Sequence, residues 1–483
     1  MYDVVLTYPS DGLRLFDTMV PTGIASVAAV AEQDGFSVKI VDFNHYTGDF
    51  RRDLLAWRPK LLGIGGTTPS RRGSFLTARL AKQVFPKMPV VYGGVHASFT
   101  ARETLTHVPH IDYVVKGEGE YPFLALCRRF VRGEPLDAQT AGLCYRGDNG
   151  SVVENRPSRI EDLSKLPPPA RHLFDHRYKM SLEFIKTPAD FIMTSRGCPA
   201  CCTFCSASRM FPGGVRFRRM EQVSREIDAL MRAGPIAGLK LFDSTFTASH
   251  EHVADFCAMI GPRNLLWECE IRADSVTKGL LRMMRESGCY YINMGLETTS
   301  RRLLASMGKR IRVEQAEQVL DWCRSLDIRT KVFFTMGHLG QTYQECVNDL
   351  AYMRERRASI DFFATTAGMR IYPGTLLEQK CRKQGIIPED FSWTAFRPPL
   401  KNLLVLEPGD VPVLDQPQLP LWRLGLLIAR LFLQRTLPAA LFIAKFLDNN
   451  LSIALERIVR QCRYTRHRIA RGLSAMRAMG RAS

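Results

Sequence analysis

Four cysteines crowd into eight residues of one short stretch, TSRGCPACCTFCSAS, which runs from Thr194 to Ser208. They are Cys198, Cys201, Cys202 and Cys205. Four thiolates can close a tetrahedral zinc site, but structural zinc usually takes two well-separated Cys-x2-Cys pairs. Here two of the four are adjacent, so their side chains diverge, and no second Cys/His pair follows at finger-like spacing. Three thiolates suit the stretch better. They can wrap three corners of a cubane iron–sulfur cluster from one compact loop and leave the fourth iron open to a ligand. Spacing alone leaves two such sets open: Cys198-x3-Cys202-x2-Cys205 and Cys198-x2-Cys201-x3-Cys205.

The remaining nine of the thirteen cysteines are scattered singly. A disulfide framework would be denser and even-numbered, so these nine read as small buried hydrophobes. The N-terminus, MYDVVLTYPS, reads as a strand and lacks the basic-then-apolar pattern of a secretion signal. Both features predict a reducing, cytoplasmic location.

The elements that must position the cysteine loop form two successive alternations of strand and helix. The first predicts strands at Tyr2–Thr7, Ser37–Asp42, Leu61–Gly65, Pro89–Gly93 and Ile111–Val115, with helices such as Ile24–Gln33 and Ser74–Val84 between them. Single helices between strands imply parallel pairing, hence a doubly wound sheet of about five strands over residues 1–160. Ligands of such sheets sit beyond the carboxyl ends of the strands, where this chain keeps Gly65-Gly66-Thr67-Thr68, Gly93-Gly94-Val95-His96 and Gly117-Glu118-Gly119-Glu120. A proline-bearing linker, 161–189, contains Pro167-Pro168-Pro169.

From residue 190 to about 400 the alternation restarts. Strands are expected at Phe191–Ser195, Leu239–Phe242, Leu265–Ile271, Tyr290–Met294, Lys331–Met336 and Phe362–Met369. Six βα units predict a partial (β/α)6 barrel of the TIM type, with chemistry at the carboxyl ends of its strands. The four-cysteine stretch falls in the first βα loop. Residues 401–483 read as a helical, basic tail. Of the net charge of +18, Leu421–Ser483 supplies +10, from twelve Lys/Arg against two Asp/Glu. Its apolar segment, Leu424–Leu447, is interrupted by Arg430, Arg435 and Lys445 and is no spanning helix. Two roles stay open for the tail: packing against the barrel, or lying on an anionic membrane surface. The body is only mildly basic, so a nucleic-acid partner is not expected.

TSRGCPACCTFC resembles the signature of the radical S-adenosylmethionine (radical SAM) superfamily, Cys-x3-Cys-x2-Cys with an aromatic before the last cysteine. LFDSTFT, IRADSV, MGLETTS, FFTMGHLGQT and RIYPGTLL follow in the order seen in the branch that carries an N-terminal cobalamin-binding domain. The first segment resembles that domain through PTGIASVAAVAEQDGFSVKIVD, GIGGTT, VVYGGVHAS and IDYVVKGEGEYPF. The likeness covers roughly residues 1–400.

It implies a 4Fe-4S cluster on Cys198, Cys202 and Cys205, with Cys201 a bystander in a spacer position. Phe204 would pack by the adenine of S-adenosyl-L-methionine, and Glu297 would stand near its ribose or amino-acid moiety; a solvated or salt-bridged strand-end carboxylate is the plainer role for Glu297. Asp243 and Arg272 also point from strand ends toward the same site. Cobalamin would be cradled by Gly65, Thr67, Gly93, Gly94 and His96, the last at the corrin periphery. The loop after the first strand, YPSDGLRLFD, has no histidine to ligate cobalt from below, and His45 matches the required spacing poorly.

The activity implied is cobalamin-dependent radical C-methylation of an unactivated carbon. Reductive cleavage of S-adenosylmethionine gives a 5′-deoxyadenosyl radical that abstracts hydrogen. Methylcobalamin then delivers a methyl group, and a second S-adenosylmethionine restores it. Cyclisation or rearrangement by the same radical is the alternative, and a non-catalytic cobalamin or cluster sensor is the reading from outside enzymology. A small-molecule or lipid substrate, a flavodoxin- or ferredoxin-like electron donor, and peripheral contact of the tail with the inner membrane surface complete the expectations.

Overall fold

A computed structural model describes residues 1–10, 19–175, 178, 180–183, 185, 187–394, 403–404 and 411–433. The first sheet contains β1 (Val4–Tyr8), β2 (Val38–Asp42), β3 (Leu61–Gly65), β4 (Val90–Gly93), β5 (Tyr113–Val115), β6 (Leu143–Arg146) and β7 (Val152–Glu154), in the order β2-β1-β3-β4-β5-β6-β7. Strands β1 to β5 run parallel, and β1 lies between β2 and β3. Their near-continuous apolar runs follow from burial on both faces. One face packs Ile24, Ala28 and Ala31 of the Thr22–Gln33 helix together with Phe123 and Leu124. The other packs Phe75, Ala78 and Ala81 with Ala101 and Leu105.

Two antiparallel strands extend the predicted five. β6 and β7 form a hairpin on β5, turned at Gly147 to Ser151 through the pair Asn149-Gly150, a dipeptide suited to tight hairpins.

The second sheet contains β8 (Met180–Ser181), β9 (Pro188–Ile192), β12 (Gly238–Leu241), β13 (Leu266–Ile271), β14 (Cys289–Glu297), β15 (Arg329–Met336) and β16 (Phe362–Ala367). A separate two-stranded ribbon pairs β10 (Ser195–Arg196) with β11 (Arg216–Phe217). The large sheet has the order β16-β15-β14-β13-β12-β9-β8, parallel except for β8, and it does not close on itself. It is the partial barrel expected, with helices on its outer face. Trp267 of β13 packs on Phe256 of the His250–Ile260 helix, ring centroids 5.3 Å apart. Phe334 of β15 packs on Tyr352 of the Tyr343–Glu355 helix, at 6.1 Å.

The segment between the sheets is tied to both of them. Ala170 N donates to Ala25 O at 3.0 Å, Lys39 pairs with Asp175 at 2.6 Å, and Tyr178 OH donates to Asp42 at 2.6 Å. On the other side Arg171 pairs with Asp190 at 2.8 Å, and β8 adds an antiparallel edge to β9.

Residues 1–421 form one compact unit, and a second begins at Trp422. The second is described only for part of the helix Leu421–Leu433; the predicted helices beyond it, including Arg457–Arg481, lie outside the described residues. Among the described residues no helix is long and apolar enough to cross a membrane. Eight of the nine scattered cysteines are buried, and Cys462 lies outside the described residues.

Gly94 opens the helix after β4 with φ +100°, and a Cβ there would stand 2.5 Å from Gly66 O. The two loops touch backbone to backbone, which only glycine permits. Gly94→Ala is expected to lower unfolding free energy by roughly 2–5 kcal/mol, the sum of backbone strain and overpacking. Chemical denaturation checks this, with Gly65→Ala as the comparison; a Cβ at Gly65 meets nothing closer than 3.6 Å and is expected to change stability by less than about 1 kcal/mol.

Candidate cofactor site

The cysteine loop leaves the barrel at the end of β9 and is held at both ends by the β10–β11 ribbon. Gly197, with φ +109°, turns the chain out of the ribbon; a Cβ there would lie 2.6 Å from Gly214 O. Asp243, just past β12, secures the entry. Its carboxylate accepts from Thr194 N at 2.9 Å, Thr194 Oγ1 at 3.1 Å, Ser195 Oγ at 2.6 Å and Ser195 N. Burial pushes the Asp243 carboxyl up to about 6, with those four donors pulling it back. It is thus a loop anchor, turned into the protein.

Cys198, Cys202 and Cys205 are half-buried, whereas Cys201 is exposed. Cys198 Sγ stands 3.4 Å from Thr245 Oγ1, and Ala207 N donates to Cys205 Sγ at 3.5 Å. Burial pushes the Cys202 and Cys205 thiols up, while Lys309 pulls both down and Arg272 also pulls on Cys202. Cys205 feels Cys198, and Cys202 feels Cys205, so the three sulfurs share one electrostatic neighbourhood beside two cations. Among the described residues no three His, Cys, Asp or Glu side chains converge tightly enough to share a single metal ion. A cubane takes one thiolate per iron, so its ligands need not converge on a point.

Glu297 ends β14 with φ 74°, unusual for a residue with a side chain, where the register with β15 slips between Gly295 and Glu297. A bulge of this kind re-aims a side chain next to a site. Its carboxylate accepts from Lys309 Nζ and Thr335 Oγ1, both at 2.6 Å. Glu297 is therefore a salt-bridged strand-end carboxylate whose field reaches Cys202 and Cys205. Phe204 packs against the cluster of Met369, Ile371, Leu377 and Cys381, edge-on to His338 with centroids 6.3 Å apart. Burial pulls the His338 imidazole down to about 4.

Facing this loop, a cavity of about 480 Å³ opens at the carboxyl ends of the first sheet. Gly65, Thr67, Gly93 and Gly94 line it, with Gly117, Glu118 and Gly119. Its opposite wall is Phe191, Met193, Arg196, Phe211 and Phe242, from the start of the barrel. Cβ atoms at Gly65 and Gly93 would meet protein no closer than 3.6 and 3.8 Å, so the bare backbone there is open to a flat ligand. His96 is not brought to this wall. It is fully buried, with Nδ1 3.1 Å from Thr68 Oγ1 and its ring against Trp393, and burial pulls it down to about 3.

A buried ionic network links the two halves. Glu118, in the loop after β5, and Glu120, which opens the helix Glu120–Cys127, are only 4% and 3% exposed. Arg196, two residues before Cys198, reaches Glu118 at 2.6 Å and Glu120 at 2.6 Å. Arg216 of β11 reaches the other oxygen of Glu118 at 2.5 Å and donates to Ile160 O. Ile160 N donates to Glu118 at 2.7 Å. Burial alone would raise the Glu118 carboxyl, but Arg216 and Arg196 hold it below the usual range. The network and Lys309 escaped the reading of the sequence. The stretch Gly117–Glu120 drew attention for its glycines, although its alternating carboxylates were the available signal.

The sequence model of the Radical SAM superfamily matches residues 192–353, and that of the B12 binding domain matches residues 13–127. The chain belongs to the radical SAM enzymes that carry an N-terminal cobalamin-binding domain. An uncharacterized methyltransferase of Pyrococcus horikoshii is 29% identical over 365 residues, 74% of this chain and 77% of that one. The anaerobic magnesium-protoporphyrin IX monomethyl ester cyclase of Rubrivivax gelatinosus is 26% identical over 347 residues, 69% of this chain and 62% of the cyclase. The radical S-adenosylmethionine methyltransferase TsrM of Kitasatospora setae, solved with cobalamin and a [4Fe-4S] cluster, shares the fold. The TM-score is 0.68 over 89% of each chain, at 20% identity. Family membership carries the cofactors with it: a 4Fe-4S cluster, S-adenosyl-L-methionine and cobalamin.

Removing one partner of a buried ion pair leaves the other charge uncompensated. Glu118→Gln is therefore expected to destabilise the protein by on the order of 3–5 kcal/mol at neutral pH, measured by urea unfolding. Glu118 is held below the usual range, so its contribution is complete at neutral pH. It is lost as the pH falls below about 4, and the gap between wild type and variant should narrow there.

Proposed function

We propose that this enzyme methylates an unactivated carbon of a small-molecule substrate held between the two cofactor loops. The observation that carries this reading is the single cavity shared by the glycine loops of the first sheet and the mouth of the barrel, with the cysteine loop tied to those glycine loops through Arg196. When bound, the cluster and S-adenosylmethionine supply a hydrogen-abstracting carbon radical, and cobalamin supplies the methyl group.

The chain's own residues hold and shield. Cys198, Cys202 and Cys205 are the cluster ligands in this reading; against the upward push of burial, Lys309 pulls the Cys202 and Cys205 thiols down, and Arg272 adds to this at Cys202. Glu297, braced by Lys309 and Thr335, meets the ribose or amino-acid part of S-adenosylmethionine, and Phe204 lies by its adenine. Gly65, Thr67, Gly93 and Gly94 cradle cobalamin. His96 supports that cradle from behind through Thr68. Phe191, Met193, Phe211 and Phe242 exclude water between the cofactors.

A flavodoxin- or ferredoxin-like protein feeds electrons to the cluster. The helix Leu421–Leu433 presents Trp422 and Leu426, 69% and 58% exposed, and with the basic tail it supports peripheral contact with an anionic membrane. Cyclisation without methyl transfer is the second reading, favoured by the likeness to the Rubrivivax cyclase.

Anaerobic reconstitution with iron, sulfide, cobalamin and a reductant, followed by quantification of two products, separates the readings. Substrate-dependent S-adenosylhomocysteine together with 5′-deoxyadenosine is expected; 5′-deoxyadenosine alone would exclude methylation in favour of cyclisation or rearrangement. In the same preparations, alanine at Cys198, Cys202 or Cys205 is expected to abolish the cluster's visible absorbance. Cys201→Ala should leave it intact, and loss of the cluster in that variant would show the ligand set to be wrong.

A further inference from the structure

The inner face of the barrel carries a row of polar side chains that the chemistry above does not use. Along β15 burial alternates: Thr330, Val332, Phe334 and Met336 are buried, and Lys331, Phe333 and Thr335 are half-exposed. Phe334 faces the outer helices, so Lys331, Phe333 and Thr335 face inward. On β13 Trp267 packs on the outer helices, which turns Glu268 and Glu270 inward by the same alternation. The sheet register sets Glu270 beside Asn293 and Asn293 beside Lys331. A carboxylate, an amide and an ammonium thus stand side by side on three adjacent strands, which lie about 4.8 Å apart.

Among the described residues none of the three makes a side-chain hydrogen bond or ion pair, although Asn293 is only 9% exposed. Lys331 Nζ stands over the rings of Phe333 and Phe362, at 5.2 and 5.4 Å, and its charge reaches Glu270 without an ion pair. Buried polar groups are nearly always satisfied, and the other charges on this face are. Lys240 pairs with Glu268 at 2.7 Å, and Lys309 with Glu297 at 2.6 Å. The unpaired row therefore calls for a ligand that brings complementary charge.

We propose that Glu270, Asn293 and Lys331 form the head-group subsite for the substrate, taking an α-amino carboxylate with its ammonium on Glu270, its carboxylate on Lys331 and Asn293 bridging to the carboxylate. This rests on the enzymatic reading above and adds the substrate class. Burial pushes the Glu270 carboxyl up to about 7, with Lys331 pulling it down; an incoming ammonium would hold it ionised. Depth sets the substrate's length. Lys331 lies four residues below Thr335, the partner of Glu297, or roughly 13 Å along the strand. Glu270 lies two residues below Arg272, roughly 7 Å. The reacting carbon is thus carried about 7–13 Å from the head group, on a side chain or extended scaffold.

The test uses the full chain, reconstituted with cluster, cobalamin and S-adenosylmethionine, and titrated calorimetrically with L-phenylalanine, 2-phenylethylamine and 3-phenylpropanoate. L-Phenylalanine is expected to bind. Glu270→Gln should weaken the amino acid and the amine at least tenfold and spare the acid, whereas Lys331→Met should weaken the amino acid and the acid and spare the amine. Failure of the amino acid to bind, or equal weakening of all three probes by both variants, overturns the subsite. Reductive formation of 5′-deoxyadenosine without substrate is measured alongside. Its absence in the wild type would count against the radical reading alone, because the probe pattern is read without reductant.

Discussion

The structure turns on the buried ion network in which Arg196 and Arg216 meet Glu118 and Glu120. Each charge taken out of water costs several kcal/mol, a cost that only close, well-hydrogen-bonded partners offset. Arginine suits the position because its planar guanidinium donates to two carboxylates at once, as Arg196 does. The residues come from places that matter to chemistry. The glutamates line the cavity of the first sheet at the turn into the helix Glu120–Cys127, and Arg196 stands two residues before Cys198. Distance between the cysteine loop and the cavity loops is thus set by short, charge-assisted bonds rather than by the connecting segment alone, which itself is pinned through Ala170, Asp175 and Tyr178.

Around that clamp, backbone strain and close approach do the fine positioning. Gly197 allows the cysteine loop to leave the ribbon against Gly214, and Gly94 allows two cavity loops to touch. Glu297 adopts a left-handed conformation without being glycine, at the slip in register between β14 and β15. Such a conformation persists only where its surroundings fix it, and here Lys309 and Thr335 do so from two sides.

Much of this was legible in the residues. Parallel strands buried on both faces leave continuous apolar runs, so the strands from Val4 to Val115 and from Phe191 to Ala367 could be read within a few residues. Short edge strands leave no such trace: β6 and β7 mix cysteine, arginine and glutamate, and β8 spans two residues inside a stretch read as a linker. The cysteine spacing pointed to a cluster loop because the candidate ligands are local in sequence. The ion network joins residues 76 to 98 positions apart, and no periodicity reports such pairs. His96 sits in a glycine-rich loop at a strand's carboxyl end, which suggests ligand contact, yet the first turn of its helix carries the ring inward onto Trp393. Burial of that kind is a tertiary outcome.

The second sheet is open, and the openness has a bearing on divergence. In a closed barrel, strand number and stagger fix the circumference and hence the bore. Here six parallel strands and one antiparallel edge stop short of a ring, so the missing wall must come from loops and from neighbouring segments such as 411–414, which hydrogen-bond to Met369 and Ile371. Loops accept insertion and replacement far more readily than sheet strands do. A scaffold of this kind can therefore change the girth of the molecule it admits while the strand-borne chemistry stays where it is, evolving by tailoring its unfinished side.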